Sequence, residues 1–326
     1  MGGLARDVSP TFGIYHAMIR YLEHNQIDKK KWDATIEECG NIYAYSWYLD
    51  VVHPQWEALV EDDYDTVMPL TGGKKFGVHY LFQPYFVQQL GVFSKATSSD
   101  DKLNGFLDAI PSKYRFCEIR LNESNTLSND KELFEYHRNV LLDLNQDFKS
   151  IREHYHTNTK RNLAKAESNN LQIVDSVIPY HVVALFTDNR GALLNKWGDA
   201  EYARLTALTK VAVNKKHAFI LGVTEKGVGQ LLCAAIFMKA RDRITFLFSG
   251  LTEEGKQRQA MTYLLDQVIQ KYANQPITFD FEGSDDDNLA RFYLGFGGQE
   301  VQYPSYTFNR LSPLGKALLK IWKRKK

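Results

Sequence analysis

The order strand, hairpin, helix, strand occurs twice along the 326 residues, and this doubling limits the possible folds more than any other feature. The third predicted strand of each half ends alike, in Phe93-Ser94 and in Phe248-Ser249, and a loop and a helix follow each of them. The interval is too long for a solenoid repeat. The pattern predicts an α/β protein of two similar units that meet near residue 150, each with a mixed central sheet flanked by helices.

Apolar periodicity and turn residues predict the individual elements. In the first half we expect strands over 42–52, 86–94, 114–122 and 134–144, a hairpin within 65–84 that turns at Gly72-Gly73, and helices over 27–40 and 101–110. In the second half we expect strands over 218–223, 277–281 and 299–308, a hairpin that pairs 230–239 with 243–250, and helices over 257–272 and 286–296.

The net charge of +1 conceals an uneven distribution. Residues 311–326 hold six of the 40 Lys and Arg residues and none of the 39 Asp and Glu residues, so the rest of the chain has a net charge of −5. Leucines, an isoleucine and a tryptophan make the same tail apolar, which suits an amphipathic helix at an anionic membrane surface. A helix packed on the body with a solvated basic end is the alternative. The near-neutral total argues against a nucleic-acid-coating protein.

The three cysteines, Cys39, Cys117 and Cys233, are far apart and lie in no zinc-type spacing. We therefore expect neither a disulfide framework nor a metal site. The first 25 residues are interrupted by charges, and no apolar stretch approaches ~20 residues, so we expect neither a signal peptide nor a membrane span. These features favour a cytoplasmic protein, with peripheral contact to the inner membrane face through 311–326.

A candidate phosphate-binding segment follows the strand that ends at Ser249. A polar loop with a single glycine leads into a helix that begins near Lys256, and Arg258 adds a second positive charge. The N–H groups of a helix start and nearby cations suit a phosphate, although an ordinary surface helix would show the same pattern. The candidate cofactor-binding residues are Ser249, Gly250, Leu251, Gly255, Lys256, Gln257, Arg258, Gln259 and Ala260.

Five carboxylates follow closely from Asp280 to Asp287. Most of them fit the first turn of a helix, in which Ser284 and Asp287 resemble a capping box. Asp280 and Glu282 share one face at the carboxyl end of a strand, where α/β sheets place ligand sites. With a raised pKa, Glu282 would accept a proton from an amine, and Tyr293 on the next helix would supply a phenol as proton donor. Glu282 and Tyr293 are therefore the candidate catalytic residues, and a solvated strand end is the alternative.

Aromatic and amide side chains around the strand ends of the first half predict a polar groove, because buried glutamines need partners. Core packing of the aromatic rings is the alternative. Arg161 lies in a basic stripe that could meet a phosphorylated substrate, or that could be a solvated helix face. The candidate substrate-binding residues are Tyr48, Asp50, Gln83, Gln88 and Arg161.

Several segments resemble the FemAB/FemX family of the GNAT (acyl-CoA N-acyltransferase) superfamily over roughly residues 30–310. They are SWYLDVVHPQW, QPYFVQQLGVFS, HTNTKRNLAKAE, and LTEEGKQRQAMTYLLD with FDFEGS and ARFYLGFGG. The resemblance implies tandem GNAT-like domains with a cleft between them. We place these domains at 27–150 and 151–310, after an N-terminal extension over 1–26 and before the basic tail over 311–326.

The same resemblance implies transfer of an acyl or aminoacyl group to an amine acceptor, in the metabolism of cell-envelope or peptidoglycan precursors. The donor would be an acyl-CoA or an aminoacyl-tRNA, and a cofactor pyrophosphate would lie on the loop Gly255–Ala260. The family motif Phe-Lys-x-x-Phe-Gly is matched by Phe292, Phe296 and Gly297, but its lysine position is Tyr293. A non-catalytic GNAT-fold protein that binds an envelope precursor or a protein partner is therefore the alternative.

Overall fold

The computed structural model of the protein describes residues 18–96, 99–125, 134–191, 197–283, 285–313 and 315–316. Strands in these ranges form one sheet of ten and one sheet of four. The strands are β1 (Ile19–Leu22), β2 (Glu57–Glu61), β3 (Thr66–Leu70), β4 (Gly72–Lys75), β5 (Val78–Phe82), β6 (Phe93–Ser94), β7 (Tyr114–Arg120), β8 (Phe134–Asp143), β9 (Leu171–Val174), β10 (Ala218–Glu225), β11 (Leu231–Ala240), β12 (Arg243–Leu251), β13 (Thr278–Asp280) and β14 (Gln299–Asn309).

Side chains cap the first turns of several helices. Asp28, Ser99, Asp147, Thr252 and Asp286 each accept a hydrogen bond from a backbone N–H of the turn that follows. No helix in the described ranges is both long and apolar enough to cross a bilayer. The α-helices are α1 (Lys29–Cys39), α2 (Ser46–Val52), α3 (Asp100–Asp108), α4 (Phe148–Glu153), α5 (Thr157–Glu167), α6 (Pro179–Phe186), α7 (Asp199–Asn214), α8 (Glu253–Gln257), α9 (Ala260–Tyr272) and α10 (Asp287–Leu294).

The ten-stranded sheet joins strands from both halves of the sequence, in the order β4-β5-β7-β14-β8-β13-β12-β11-β10-β9. The last strand, β14, inserts between β7 and β8 and is antiparallel to both. β8 is in turn antiparallel to β13. The predicted boundary near residue 150 therefore falls between strands of one continuous sheet, and the division into 27–150 and 151–310 stays a prediction.

The hairpin predicted within 65–84 turns at a different place. β3 belongs to the four-stranded sheet, in the order β1-β2-β3-β6, and the chain then crosses to the ten-stranded sheet. The turn lies at Phe76-Gly77, between β4 and β5. A Cβ on Gly72 would stand 2.6 Å from the Tyr114 hydroxyl. The predicted turn at Gly72-Gly73 is wrong, because close packing against a tyrosine, rather than turn geometry, requires the glycine.

The strand predicted over 42–52 is also wrong. The chain there forms a 3₁₀ turn over Ile42–Ala44 and then helix α2. Trp47 and Tyr48 of α2 are buried, and the Trp47 ring stacks on His217 with centroids 5.5 Å apart. Tertiary packing thus overrides the strand preference of the aromatic and β-branched residues in this segment.

The strand predicted over 86–94 is reduced to the two residues of β6. The backbone at Phe86 and Gly91 is left-handed, with φ values of 64° and 91°, which an extended strand does not allow. The segment meets the end of β7 at Leu90, whose N–H donates to the Arg120 carbonyl at 2.9 Å and whose carbonyl accepts from the Asn122 amide at 3.0 Å. The segment is an ordered loop fastened to the chain that follows β7.

The hairpin predicted in the second half, which pairs 230–239 with 243–250, is confirmed. β11 and β12 pair antiparallel from Ala240 and Arg243 onward. Helix α9 packs on the sheet with Leu264 and Val268 fully buried, as the helical periodicity predicts. β12 is parallel to β13 but pairs with it only as far as Thr245. Beyond that point the edge of β12 is not joined to β13.

Candidate functional site

The carboxyl end of β13 brings two acidic residues together in the interior. Asp280 is buried and accepts hydrogen bonds from the Glu282 backbone N–H at 2.8 Å and from the Arg243 guanidinium at 3.1 Å. Burial raises the pKa of Asp280, and the positive charge of Arg243 opposes that rise. Asp280 and Glu282 are the centre of the candidate site.

Glu282 lies where its protonated form is favoured. Its backbone is left-handed, with φ 53°, and its half-buried side chain accepts a hydrogen bond from the Tyr43 hydroxyl at 2.7 Å. Burial raises the pKa of Glu282 to about 8; the hydrogen bond from Tyr43 lowers it, and the charge of Asp280 adds to the rise. A carboxyl with a pKa near neutral pH can exchange a proton with a reacting amine.

Tyr43 reaches Glu282 from the other half of the sequence. It lies in the 3₁₀ turn before α2, where its backbone N–H donates to the Asn41 side chain at 3.0 Å. Its buried ring meets Tyr48 edge to face, with centroids 5.8 Å apart. Burial, and then the charge of Glu282, raises the pKa of Tyr43, so the phenol stays neutral and donates. This hydrogen bond joins the two halves of the chain at the site.

Arg243, the first residue of β12, links two carboxylates. Its guanidinium donates to Glu123 and to Asp280. Burial lowers the pKa of Arg243, but the charges of Asp280 and Glu123 outweigh that effect, and the guanidinium stays protonated. Glu123 follows β7, and its backbone N–H donates to the Gln89 side chain at 3.1 Å. Charge-assisted bonds of this kind fix the position of both carboxylates.

A cavity of about 320 Å³ lies beside Arg243 and Glu123. Its other walls come from the first half of the chain and include the polar side chains of Asn41, Gln89 and Asn122. The volume is in the range of small-molecule sites, in which a few polar groups orient the ligand. Carboxylate, guanidinium and amide groups meet in this cavity, so it is suited to a small polar ligand.

Ser249, Gly250 and Leu251 lie at the end of β12, where one edge pairs with β11. A Cβ on Gly250 would stand 2.5 Å from the Leu185 side chain, so helix α6 packs directly on this strand. The opposite edge is no longer joined to β13, because that pairing ends at Thr245. The Leu251 carbonyl accepts a hydrogen bond from the Asn189 side chain at 2.7 Å, and contact of this edge with a donor molecule stays a prediction.

The helix predicted over 257–272 is confirmed as α9, which begins at Ala260, and the short helix α8 precedes it. α8 ends and α9 begins on either side of Gln259, whose backbone is left-handed with φ 58°. A left-handed residue interrupts the hydrogen-bond ladder of a helix, so the predicted helix starts after Gln259 rather than at Gln257. Gly255 in α8 packs so closely on β11 that a Cβ would stand 2.2 Å from the Leu232 carbonyl oxygen.

The two cations of this segment already have carboxylate partners. Lys256 lies 3.0 Å from Glu253, and both side chains are more than half exposed. Arg258 lies 2.8 Å from Glu225 and 2.8 Å from Glu254. An exposed ion pair contributes little free energy, so an incoming phosphate can displace Glu253 from Lys256 more readily than it can free Arg258.

Tyr293 lies in the apolar core. Its ring stacks on Phe281 with centroids 5.2 Å apart and meets Phe246 edge to face at 6.2 Å. The side chain is 7% exposed. The role of proton donor stays a prediction for Tyr293, and the structure adds a packing role in the second half of the chain.

Three of the predicted substrate-binding residues have internal partners. The Tyr48 hydroxyl donates to the Phe86 carbonyl. Gln83 accepts a hydrogen bond from the Arg120 backbone N–H at 3.0 Å. Gln88 is buried and accepts one from the neighbouring glutamine at 2.9 Å. These contacts tie together loops around the site.

The remaining two, Asp50 and Arg161, also have partners within the protein. Asp50 accepts hydrogen bonds from Lys29 at 2.8 Å and from the Trp56 indole at 3.0 Å. Arg161 is exposed on α5 and donates to Asn158 at 2.6 Å. None of the five predicted substrate-binding residues is among the described residues that line the cavity, so their role toward an acceptor stays a prediction.

Sequence reasoning did not identify Tyr43, Glu123 or Arg243 as site residues. They come from three separate parts of the chain and meet only in the folded protein. The available signal is weak: Glu123 is a charged residue just past the end of a predicted strand, where ligand sites tend to form. Nothing in the local sequence marks Arg243, which reads as the first residue of a hairpin strand.

Comparisons with known proteins bear on the fold. No protein-family model matched the chain, and no curated protein matched it. Among solved structures, FemX is similar over 91% of this chain and 99% of its own, with 12% sequence identity and a TM-score of 0.64.

Two further solved structures are similar over most of the chain. A tandem GNAT protein from the clavulanic acid biosynthesis pathway covers 90% of this chain and 99% of its own, with 11% identity and a TM-score of 0.50. L-PGS from Bacillus licheniformis covers 90% and 96%, with 11% identity and a TM-score of 0.52. At these identities the likeness concerns the fold alone, and it confirms the predicted fold class.

Proposed function

We propose that this chain, which has the tandem GNAT fold shared with FemX, is an N-acyltransferase that moves an acyl or aminoacyl group onto an amine acceptor. The observation that carries the proposal is Glu282, a half-buried carboxyl with a pKa of about 8 at the carboxyl end of β13. Such a carboxyl can act as the base in the deprotonation step that every transfer to an amine requires. The attacking nitrogen must lose a proton as the new C–N bond forms.

In the proposed step the amine attacks the carbonyl carbon of the donor, and the thiol or hydroxyl that carried the acyl group leaves. Glu282 takes the proton of the amine, directly or through water. Tyr43 holds the carboxyl in place through its hydrogen bond. Tyr293 is the proposed proton donor, and backbone N–H groups near Ser249–Leu251 are the proposed partners of the carbonyl oxygen, which gains negative charge in the transition state.

The donor is proposed to be an acyl-CoA or an aminoacyl-tRNA, with its phosphate on Gly255–Ala260. One helix starts there: α9 begins at Ala260, directly after Gln259, and its first turn offers backbone N–H groups. Lys256 supports this placement, because its exposed partner Glu253 is easily displaced.

The acceptor is proposed to enter the cavity beside Arg243. Its wall contains one carboxylate, Glu123, and the buried Asp280 lies on the other side of the guanidinium. This local excess of acidic groups favours a positively charged amine. A small molecule or a peptide amine from cell-envelope metabolism fits this description.

A binding protein without activity is the second candidate. It is favoured by the pairing of Arg258 with both Glu225 and Glu254, which leaves that guanidinium engaged within the protein. It is also favoured by Tyr293 at the family's lysine position. In this version the same cavity would hold an envelope precursor, and no group would be transferred.

Thermal-shift measurements with coenzyme A, acetyl-coenzyme A and UDP-linked peptidoglycan precursors separate the two candidates, because a ligand raises stability by RT ln(1+[L]/Kd). Stabilisation by an acyl donor supports the enzyme, and turnover is then measured with that donor and a panel of amines. Glu282→Gln should lower kcat by about 100-fold or more, whereas Glu300→Gln, a change of a partly exposed carboxylate, should not. Unchanged kcat in Glu282→Gln would remove the assigned base, and stabilisation by the precursor alone would favour the binding protein.

A further inference from the structure

The turn between β4 and β5 presents a large apolar side chain to solvent. Phe76 is 91% exposed, and Lys74 and Lys75 beside it are exposed as well. Phe76 and Gly77 both have positive φ, at 50° and 79°, as in the type I′ turns of two-residue hairpins. Those turns favour Asn or Asp at the first position, and a bulky residue there is strained. Phenylalanine is thus unfavourable here both for the backbone and for solvation.

The hairpin that carries this tip is held firmly. A Cβ on Gly72 would stand 2.6 Å from the Tyr114 hydroxyl, and one on Gly73 would stand 2.7 Å from the Tyr80 ring. β4 and β5 pair along their whole length, and β5 continues the sheet through β7. The exposed ring therefore projects from a fixed position, since both strands below it are packed.

The strand register places this tip at the same end of the sheet as the exit of the C-terminal segment. β5 is parallel to β7, with His79 opposite Tyr114, and β7 is antiparallel to β14, with Phe116 opposite Asn309. The chain leaves β14 at Arg310, two strands from β5, or ~10 Å at the usual strand spacing. The six Lys and Arg residues of 311–326 follow directly in the sequence.

Two more cations lie at this end. Arg115 and Arg310 are exposed, and each donates a hydrogen bond to the backbone carbonyl of the other at 2.7 Å. Glu118, an exposed acid of β7, lies three positions farther from this end. Glu57 contacts residues of this end as well, where it pairs with Lys113 at 2.8 Å and accepts a hydrogen bond from the Tyr114 hydroxyl. Positive charge and one exposed apolar ring are thus combined at the end of the sheet, while Lys113 neutralises Glu57 and Glu118 is set back from the end.

We propose that this end of the sheet, formed by Lys74, Lys75, Phe76, Arg115 and Arg310, binds the surface of an anionic lipid bilayer, with the Phe76 ring inserted at the headgroup level. The cations are attracted to anionic headgroups, and the ring leaves water for the interface. Lipid is favoured over RNA because RNA-binding surfaces stack successive bases on several aromatic rings, whereas this turn presents a single exposed ring beside lysines, as an interfacial anchor does. The proposal does not depend on the reaction that the site performs.

The test uses the full chain and sedimentation with vesicles of phosphatidylcholine plus phosphatidylglycerol, compared with phosphatidylcholine alone. Phe76→Asn should weaken binding to the anionic vesicles about tenfold, and its thermal stability should be equal or higher because Asn suits the turn. Lys74→Gln should weaken binding about fivefold. The matched control is Val228→Asn. Val228 is 60% exposed at the tip of the β10–β11 hairpin, whose strands are six and seven positions from β5 in the sheet, and the variant should bind like the parent.

Three results would overturn the proposal. The first is unchanged vesicle binding in Phe76→Asn. If deletion of 311–326 abolishes binding while Phe76→Asn does not weaken it, the tail rather than this end of the sheet binds the vesicles. The second is an equal loss in Val228→Asn, which would indicate a nonspecific effect of any exposed apolar residue. The third is binding to a short RNA with no binding to vesicles, which would make the basic end an RNA surface.

Discussion

Two cations in the second half of the chain, Lys256 and Arg243, each form ion pairs with carboxylates, but the pairs differ in burial and in sequence separation. Lys256 pairs with Glu253 three positions away, and both side chains are more than half exposed. Arg243 pairs with Asp280, whose side chain is 1% exposed, and with Glu123, 120 positions away. The exposed pair of Lys256 and Glu253 can be predicted from the sequence, because the two residues are three positions apart, and it contributes little free energy. The set of Arg243, Asp280 and Glu123 cannot be predicted from the sequence, because its members are far apart along the chain. It holds the side chains of the candidate site in position.

The largest difference between the two sets should appear on removing the cation. Arg243→Met leaves Asp280 buried without its guanidinium, which should lower the free energy of unfolding by about 3 kcal/mol. Urea unfolding followed by circular dichroism measures this change. The comparison variant is Lys256→Met, which should cost about 0.5 kcal/mol or less. Equal costs would show that the interior set is no more important to stability than the exposed pair.

The titration of Glu282 should produce the next largest effect. Its pKa is about 8 in the folded protein and near 4.5 in the unfolded chain. Between these values the folded state binds more protons than the unfolded state, so the free energy of unfolding falls as the pH rises from about 4.5 to about 8. Glu282→Gln removes this titration but keeps an oxygen that can accept the hydrogen bond from Tyr43.

The free energy of unfolding of Glu282→Gln, measured relative to the parent, should therefore rise by about 2 kcal/mol between pH 6 and pH 8. Urea unfolding at a series of pH values gives the difference, in which the other titrating groups cancel. Glu300→Gln serves as the partly exposed carboxylate control. Its free energy of unfolding should change with pH in the same way as that of the parent. A parallel profile for Glu282→Gln as well would mean that the carboxyl titrates normally.

Removing the exposed cation Lys256 should have the smallest effect on stability. The expected change is in the affinity for the donor. Lys256→Gln should alter the free energy of unfolding by about 0.5 kcal/mol or less, yet weaken the affinity for a phosphate-bearing donor about fivefold. Isothermal titration with the donor identified by thermal shift measures this. Lys271, at the far end of α9, provides the control variant Lys271→Gln. If the two variants bind alike, the phosphate is not held at 255–260.

The sequence predicted best the elements whose partners are close along the chain. The β11–β12 hairpin and the buried face of α9 follow from alternation and from helical period, because both depend on residues a few positions apart. The predictions over 42–52 and 86–94 failed for the opposite reason. The aromatic residues of 46–52 form a helix because tertiary packing buries most of them. The loop before β6 is held by a hydrogen bond from Asn122, which is 32 positions away from its partner Leu90. The tail over 314 and 317–326 lies outside the described residues, as does the predicted cap Ser284.

The resemblance of quoted segments to the FemAB/FemX family led to the correct fold class, and the predicted strand placed Asp280 and Glu282 near its carboxyl end, although β13 ends at Asp280 and the left-handed backbone of Glu282 breaks the two-residue period. Only the tertiary structure decided what surrounds them. Tyr43 and Glu282 are 239 positions apart, and Glu123 and Arg243 are 120 apart. Contacts over such separations leave no periodic trace in the sequence. The sequence alone therefore determined the types of most elements and one pair of acidic residues, whereas burial and long-range partners, which set pKa values, were decided by the fold.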